Sequence, residues 1–354
     1  MHCVNSDPKA NSVQLDGKSE FRLEPEGTVK RTSFRSKLAM GIALEGILLL
    51  AVPAAWAQSA STEQCSLAVV SRWVGADRRV CDSKIVHEMA LRGHAFEQNQ
   101  MGIASVLAIG PDYTAKEALT WFGQAAQRGY APAQVNLAVM HTNGWGTPVN
   151  YGTALRWLRA AADQHFARAY YNLGILYLQG QGVRQDCEEA FRWFQKGAEA
   201  GDSSAQTNLG YMYDQGLGRQ RSPSTAAAWY GKAADAGNPL GENNLADMYL
   251  RGDGVRQDNA AAFRWFQRAA AQGHTGARIK LGYMYAEGRG TGKDPEAAYA
   301  WITAASLAQD PRGKDLLRSL ETVLKPEQIA RARQRASSLL LEREQQLSAK
   351  AFAQ

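Results

Sequence analysis

The segment LGILYLQGQGVRQD, from Leu173 to Asp186, decides the fold of this chain. The pattern returns 72 residues later as LADMYLRGDGVRQD, from Leu245 to Asp258. Glycines after an apolar run also occur in phosphate-binding loops, which would indicate an enzyme. Such a loop needs a preceding strand and a Lys-Ser/Thr pair after its glycines, and it usually occurs once per domain. The segment lacks that pair and is repeated, so its glycines need another explanation.

A period of 36 residues provides that explanation. Tryptophan occurs six times at this spacing, at Trp121, Trp157, Trp193, Trp229, Trp265 and Trp301. Pairs of glycines follow the same period, at Gly144/Gly146, Gly180/Gly182, Gly216/Gly218, Gly252/Gly254 and Gly288/Gly290. Several independent columns that agree on one period are the sequence signature of a repeat array.

Each repeat predicts two helices. Ala169, Leu173 and Tyr177 stand at i, i+4 and i+8 and form one apolar stripe. Gly180 then ends the first helix, because glycine adopts the left-handed conformation of a C-terminal cap. The second helix begins at a column of N-cap residues, namely Thr114, Asn150, Asp186, Ser222, Asp258 and Asp294. Thr114 with Glu117, and Asp186 with Glu189, also fit a capping box.

The pattern Ala-x-x-x-Leu-Gly-x-x-Tyr-x-x-Gly-x-Gly-Val-x-x-Asp-x-x-x-Ala-x-x-Trp, from Ala169 to Trp193, resembles the Sel-one-like repeats, which are relatives of the tetratricopeptide repeats. The resemblance implies an all-α, right-handed superhelical solenoid of αα-hairpin repeats. It also implies an adaptor that binds other proteins, with the first helices lining a concave face. Cysteine-rich secreted relatives resemble penicillin-binding or β-lactamase proteins and carry a disulfide in each repeat. Only Cys187 falls within the well-formed repeats here, so that chemistry is not carried over.

The N-terminal segment reads as a signal for export. Arg31, Arg35 and Lys37 precede an apolar run that ends at a small-x-small site, Ala55-Trp56-Ala57. This order is typical of a secretory signal peptide, and we expect cleavage after Ala57 and a periplasmic or secreted protein with no membrane span. An uncleaved anchor is the alternative, although Glu45 within the apolar run disfavours it.

Charge and cysteines agree with export. The net charge of +6 is spread along the chain without a block of Lys or Arg, so nucleic acid is an improbable partner and an anionic glycan remains an option. Cys65 and Cys81 would pair in an oxidising compartment, and two unpaired thiols are the alternative. Cys187 has no evident partner.

The sequence offers little catalytic chemistry. A Ser-x-x-Lys motif occurs at Ser6 and Lys9, in the segment expected to be removed. His87 and His94 stand seven residues apart rather than the four of a zinc-protease helix. We therefore predict no cofactor, no metal and no enzyme, with an envelope hydrolase or penicillin-interacting protein as the alternative. The tryptophan column is interpreted as core packing rather than as a ligand-stacking surface.

The asparagine that precedes the motif leucine is the best candidate for binding. Asparagine is a mediocre helix residue, yet it occupies this column four times before lysine replaces it: Asn136, Asn172, Asn208, Asn244 and Lys280. A carboxamide both donates and accepts hydrogen bonds, so it can bind an extended peptide; a structural bond to a neighbouring repeat is the alternative. Selectivity would come from nearby residues that vary between repeats, namely Tyr171, Tyr211, Asp247 and Tyr283.

The expected organisation has four parts. Residues 1–57 are the extension and signal peptide, and 58–94 form an N-terminal helical cap. Residues 95–310 form one degenerate and five good repeats, and 311–354 form a C-terminal helical cap in which Ile329, Ala332, Ala336 and Leu340 make an apolar stripe. A dimerising coiled coil is the alternative for that last segment. The expected function is a non-enzymatic scaffold of the bacterial cell envelope, bound to a partner protein or peptide in an envelope complex.

Overall fold

The structure, a computed structural model, describes residues 83–106, 114–307 and 311–353. Within these ranges all regular structure is helical, and helix pairs repeat about every 36 residues, which confirms the predicted all-α repeat class. The first helices of the repeats are α2 (Ala95–Val106), α4 (Ala131–Asn143), α6 (Ala167–Gln179), α8 (Ser203–Gln215), α10 (Pro239–Arg251) and α12 (Thr275–Glu287). The second helices are α3 (Ala115–Gln127), α5 (Tyr151–Ala162), α7 (Cys187–Glu199), α9 (Pro223–Asp235), α11 (Asn259–Ala271) and α13 (Pro295–Leu307). The array is preceded by α1 (Ser83–Leu91) and followed by a 3-10 turn (Pro311–Gly313), α14 (Lys314–Glu321) and α15 (Pro326–Ala353).

The chain divides at Asp186 into two compact units. In the N-terminal unit, which ends at Gln185, Phe122 and Leu137 are the centre of a core built from α2, α3 and α4. In the C-terminal unit, from Asp186 to Gln346, one core cluster surrounds Tyr230 and another surrounds Phe266. Each unit therefore buries its own apolar side chains.

The glycine pairs end the first helices and also bring neighbouring repeats together. Gly180 adopts φ +67° and caps α6. At Gly182, φ is +73° and an added Cβ would lie 2.4 Å from the Cβ of Tyr151, the first residue of the preceding second helix. At Gly254, an added Cβ would lie 2.3 Å from the Pro223 carbonyl oxygen. The second glycine is required because the turn rests directly on the start of the second helix in the repeat before it.

The N-cap column is largely confirmed. Side-chain oxygens of Thr114, Asn150, Asp186, Asp258 and Asp294 accept backbone N–H groups of the first turn. The capping box at Thr114 is complete. The predicted capping box at Asp186 is wrong, because the Glu189 side chain pairs with Arg192 instead. The prediction for Ser222 is also wrong, since its hydroxyl bonds the Thr225 hydroxyl at 2.7 Å rather than a backbone N–H.

The tryptophan column is not the centre of the core. Trp193, Trp229 and Trp265 are only half-buried, and a lysine or arginine three residues later lies over each ring at 3.9 to 4.6 Å. The innermost column is the next residue, occupied by Phe122, Leu158, Phe194, Tyr230, Phe266 and Ile302, each at most 2% exposed. The interpretation of the tryptophans as core residues is therefore corrected, because the core column lies one residue after them. Among the six tryptophans of the column, only Trp301 is buried, at 7% exposure.

A column of buried polar side chains, which was not predicted from the sequence, links the first helix of one hairpin to the second helix of the hairpin before it. Gln134 donates to the Ala126 carbonyl and Gln206 to the Ala198 carbonyl, both at 3.2 Å. The same position holds Arg278, which donates to the Ala270 carbonyl at 3.2 Å. Each of these carbonyls also accepts the backbone N–H of a turn glycine, so the side chain adds a second hydrogen bond at the end of the preceding helix.

Glu242 interrupts this column, because an ionised carboxylate cannot donate a hydrogen bond. The side chain is fully buried, and Arg268 forms an ion pair with it at 3.0 Å. Arg268 also donates to the Ala234 carbonyl at 3.2 Å, the bond that a glutamine would otherwise make. Gln272 donates to the other carboxylate oxygen at 2.7 Å. Arg268, from the second helix of the same repeat, thus compensates for the substitution.

His165 is a strained position in the turn between α5 and α6. It has φ +58°, whereas the other copies of this turn are glycines with φ from +76° to +93°, at Gly93, Gly129, Gly201, Gly237 and Gly273. A left-handed conformation costs a non-glycine residue about 1–2 kcal/mol. Its ring nitrogen Nδ1 lies 3.1 Å from the Tyr170 hydroxyl, and this hydrogen bond offsets part of the cost.

Replacing His165 with glycine is therefore expected to raise the free energy of unfolding by about 0.5–1 kcal/mol, measured by urea denaturation. The matched control is Gly201→Ala, where nothing lies within 4 Å of an added Cβ. That substitution has only the backbone cost and should lower stability by about 1 kcal/mol. Equal stability of wild type and His165→Gly would show that the turn is not strained.

Cys187 is buried at the first position of α7 and is disulfide-bonded. The expectation that it lacks a partner is wrong; the other three cysteines, Cys3, Cys65 and Cys81, are outside the described residues. The predicted Cys65–Cys81 bridge and the signal peptide also lie outside them. Among the described helices, none has both the length and the apolar character needed to cross a membrane.

After the array, α15 packs on the C-terminal unit through small side chains. Ala332 and Ala336 are fully buried, and Ile329 is half-buried against the cluster around Tyr299. Arg331 donates two hydrogen bonds to Glu296, at 3.0 and 2.8 Å. Apolar and ionic contacts together hold the start of α15 on α13.

Candidate partner-binding surface

In each unit, the first helices carry the predicted binding residues along one stripe, here named the first-helix face. In the N-terminal unit it includes Asn136, Tyr171 and Asn172. In the C-terminal unit it includes Asn208, Tyr211, Asn244, Asp247, Lys280 and Tyr283. All of these except Asn136 are at least partly exposed.

Asn136 differs from the rest of its column because it is buried, at 2% exposure. Its Nδ2 donates to the Oδ1 of Asn99 at 2.9 Å, and Asn99 is itself fully buried. The pair links α4 to α2 across one repeat. This is the structural bond to a neighbouring repeat that the sequence left open for the column.

Asn172 and Asn208 have a different arrangement. Each is half-buried, and its Nδ2 donates to a carbonyl one turn earlier in its own helix, Arg168 for Asn172 and Ser204 for Asn208, both at 2.9 Å. No described residue donates to either Oδ1 atom. Each carboxamide is thereby held in one orientation with its acceptor unused. Beside Asn172, the Tyr171 ring is covered by the Arg168 guanidinium at 5.2 Å.

In the last two repeats the stripe contains a polar network. Lys280 pairs with Asp247 and donates to the Oδ1 of Asn243 at 3.4 Å. Asn243 in turn donates to the Oδ1 of Asn244 at 3.1 Å. Asn244 therefore lacks the unused acceptor of Asn172 and Asn208, and Lys280 is held in place by its neighbours. Tyr283 is 39% exposed beside this network.

A second polar group lies where α8, α9 and α10 meet. Asp214 is 8% exposed, and it accepts a hydrogen bond from Gln215 at 3.1 Å. Burial, and next the carboxylate of Asp214, raise the pKa of the Tyr211 hydroxyl. The same two causes, in the same order, raise the pKa of Tyr230 well above its usual value. Tyr211, Asp214 and Tyr230 thus lie close enough together to influence one another electrostatically.

Asp214 and Tyr230 were not among the predicted site residues, although the sequence contains a signal for both. At the position equivalent to Asp214, other repeats have Thr142, Leu178, Leu250 and Ala286. At the position equivalent to Tyr230, the other repeats have Phe, Leu or Ile. Because the repeats of one chain can be aligned with one another, Asp214 and Tyr230 could have been recognised as polar residues in columns that are mostly apolar.

The described residues offer no evident catalytic centre. They contain no group of three or more His, Cys, Asp or Glu side chains that could hold a metal ion. His87 lies within α1 and its ring meets Trp121 edge to face, whereas His94 lies between α1 and α2. The Ser6–Lys9 motif is outside the described residues.

The helix pairs and their glycine turns match a known family. The profile of the Sel1 repeat matches residues 108–130, 131–166, 167–202, 203–238, 239–274 and 276–310. The chain belongs to the Sel1 repeat family. Sel1 repeat proteins are generally protein-interaction scaffolds and are generally non-enzymatic.

Three solved structures illustrate the range of similarity to this chain. A Sel1 repeat protein from Oxalobacter formigenes is 30% identical with a TM-score of 0.57, and the match covers 64% of this chain and 93% of that one. A protective antigen with an SLR fold from uropathogenic Escherichia coli is 22% identical with a TM-score of 0.44, over 90% of this chain and 74% of that one. An immunity protein from Pseudomonas aeruginosa is 18% identical with a TM-score of 0.42, over 63% and 82%. No curated protein matches the chain.

Proposed function

We propose that this Sel1 repeat protein is a non-catalytic adaptor that binds a partner protein or peptide on the first-helix face. The observation that carries the proposal is a half-buried carboxamide with an unused acceptor, which occurs in each unit, as Asn172 in the N-terminal unit and Asn208 in the C-terminal unit. An extended peptide has a backbone N–H at every residue except proline, and each needs an acceptor when it leaves water. The carboxamides are suited to that need.

Variation along the first-helix face supports a role in recognition. Between repeats, the position three residues after the asparagine column changes from Val139 and Ile175 to Tyr211, Asp247 and Tyr283. The glycines and N-caps that define the fold remain nearly constant over the same repeats. A face whose side chains vary over a constant frame is suited to bind one particular partner.

We further propose that the protein acts in the bacterial cell envelope, as a periplasmic or secreted component of an envelope complex. The support comes from the sequence, in the basic and apolar segment that ends at Ala57. Fractionation of cells that express the full chain tests this, with an intact N-terminus at Met1 in the cytoplasm as the contrary result.

Replacing Asn172 and Asn208 together with alanine is expected to reduce capture of the partner at least about tenfold. The reason is that each substitution removes an acceptor which a bound peptide would otherwise use. The measurement is crosslinking and pull-down from the envelope fraction, with the captured protein identified in the wild type and quantified in the variant. Circular dichroism should show the same helix content.

The matched control replaces Gln195 and Gln267, which are amides on the second helices α7 and α11. Both are at least partly exposed, and their loss should leave capture unchanged. Full capture by the asparagine variant, or equal losses in both double variants, would overturn the first-helix face as the binding surface.

A further inference from the structure

The exposed amide of Asn244 has the opposite polarity to that of Asn208. Asn208 donates its Nδ2 to the Ser204 carbonyl at 2.9 Å and leaves its Oδ1 unused. Asn244 instead accepts a hydrogen bond from Asn243 through its Oδ1, at 3.1 Å. No described residue, including the carbonyl of Leu240 one turn earlier, accepts from its Nδ2. Equivalent positions of neighbouring repeats therefore present an acceptor on α8 and a donor on α10.

Lys280 fixes this reversal through a relay of hydrogen bonds. Lys280 is held by its ion pair with Asp247, and its ammonium group can only donate. Asn243 must therefore present its Oδ1 to Lys280, at 3.4 Å, and its Nδ2 is directed to Asn244. Asn243 is only 3% exposed, so water does not compete for its amide. Asn244 must then turn its Oδ1 toward Asn243 and its Nδ2 away from it.

The repeat before it has no such relay. The position of Asn243 is occupied there by Thr207, whose hydroxyl donates to the Ser203 carbonyl at 2.9 Å rather than to Asn208. The amide of Asn208 is left to bond its own helix. The lysine at the end of the asparagine column thus changes the group that Asn244 presents to solvent.

The two amides lie within reach of one extended peptide. Both are half-buried at equivalent positions of α8 and α10, which pack directly against each other within the C-terminal unit. Packed helix axes are about 8–10 Å apart, and an extended chain rises about 3.3 Å per residue. About three residues of an extended peptide would therefore join Asn208 to Asn244.

From this arrangement we infer that the first-helix face of the C-terminal unit binds the main chain of an extended peptide, through one N–H at Asn208 and one C=O at Asn244. The inference rests on the proposed function and specifies which groups of the partner are bound. Every residue except proline carries both a main-chain N–H and a C=O. These two contacts therefore recognise an extended backbone rather than particular side chains.

The probe is a linear peptide selected from a random phage library on the immobilised full-length protein. Each peptide bond is replaced in turn by an N-methyl amide, which removes the N–H, or by an ester, which removes the N–H and also weakens the carbonyl acceptor. The Kd of each peptide is measured by fluorescence anisotropy. At one bond both replacements should weaken binding at least about tenfold, because the N–H to Asn208 is lost. At a second bond only the ester should weaken binding, about threefold or more, because the carbonyl bound to Asn244 accepts less well.

Asn244→Asp tests the donor directly. The substitution replaces Nδ2 with an oxygen of similar size and keeps the acceptor for Asn243. It should weaken binding at least about tenfold. The ester at the second bond should then have little further effect, because both changes act on the same contact. The matched control Gln267→Glu makes the same amide-to-acid change on an exposed side of α11 and should leave the Kd unchanged.

Lys280→Asn tests the relay without changing Asn244. It restores the residue of the other repeats and removes the ammonium group that orients Asn243. Asn244 should then donate to the Leu240 carbonyl, as Asn208 does to Ser204, and present its Oδ1 instead. The ester at the second bond should no longer weaken binding, whereas N-methylation at the first bond should still do so.

The outcomes separate the two proposals. Full affinity of Asn244→Asp, or an ester effect that persists in Lys280→Asn, would overturn the donor role of Asn244 and leave the adaptor function standing. Binding that no backbone replacement weakens would overturn main-chain recognition in the same way. A library from which no peptide is selected would overturn the adaptor function itself.

Discussion

Replacing Phe266 with alanine is expected to lower the free energy of unfolding by about 4 kcal/mol. Phe266 is fully buried in the cluster that also contains Leu281, Met284 and Trp301. The truncation removes an aromatic ring from close packing and leaves a large cavity. Replacing a fully buried phenylalanine with alanine typically lowers the free energy of unfolding by about 3–5 kcal/mol. Chemical denaturation followed by circular dichroism measures the difference.

The neighbouring tryptophan is the matched control. Trp265 is half-buried, and its ring also contacts Arg268. Part of its surface is already in water in the folded protein, so Trp265→Ala should cost less, about 2 kcal/mol. If Trp265→Ala lowered the free energy of unfolding more than Phe266→Ala, the tryptophan column would be the centre of the core after all.

Replacing Arg268 with methionine is expected to destabilise the protein by about 3 kcal/mol. The substitution leaves the carboxylate of Glu242 fully buried without the guanidinium that forms its ion pair. A buried charge that loses its counter-ion typically costs about 3–5 kcal/mol. Arg268 itself is half-exposed, so its own desolvation adds little and the low end of that range is expected.

A second substitution tests the cause of this loss. Glu242→Gln in the Arg268→Met background should recover most of the stability, since a neutral glutamine can donate to the Ala234 carbonyl as Gln134 does to Ala126. The two substitutions should therefore couple strongly in a double-mutant cycle. Additive effects would contradict the view that Arg268 compensates for Glu242.

The helix ends and the repeat length of this fold can be predicted from the sequence because they depend on local interactions. Gly180 and Asp186 mark helix ends through backbone conformation and capping, which act within a few residues. The inward-facing column was misassigned because two adjacent apolar columns share the period, and a period alone does not show which one points inward. Tryptophan is constant yet half-buried, since its large ring reaches from the core to the surface beside a lysine or arginine.

The candidate surface was predicted less completely, since the asparagine column does not have one role. Asn136 is buried because Asn99 of the degenerate repeat lies opposite, whereas Asn172 bonds within its own helix. Which of these occurs depends on the neighbouring helix, and the motif does not include that neighbour. Asp214 and Tyr230 belong to a cluster that only packing reveals, because they come from different helices.

The second glycine of each turn has a consequence for how such proteins can diversify. Its close approach is to the main chain of the preceding repeat, as between Gly254 and Pro223. The spacing of neighbouring repeats is therefore set by backbone contacts, which do not involve the exposed side chains. Substitutions at positions such as Tyr211, Asp247 and Tyr283 can alter what is recognised without altering how the repeats stack. Within either unit, architecture and specificity can evolve independently.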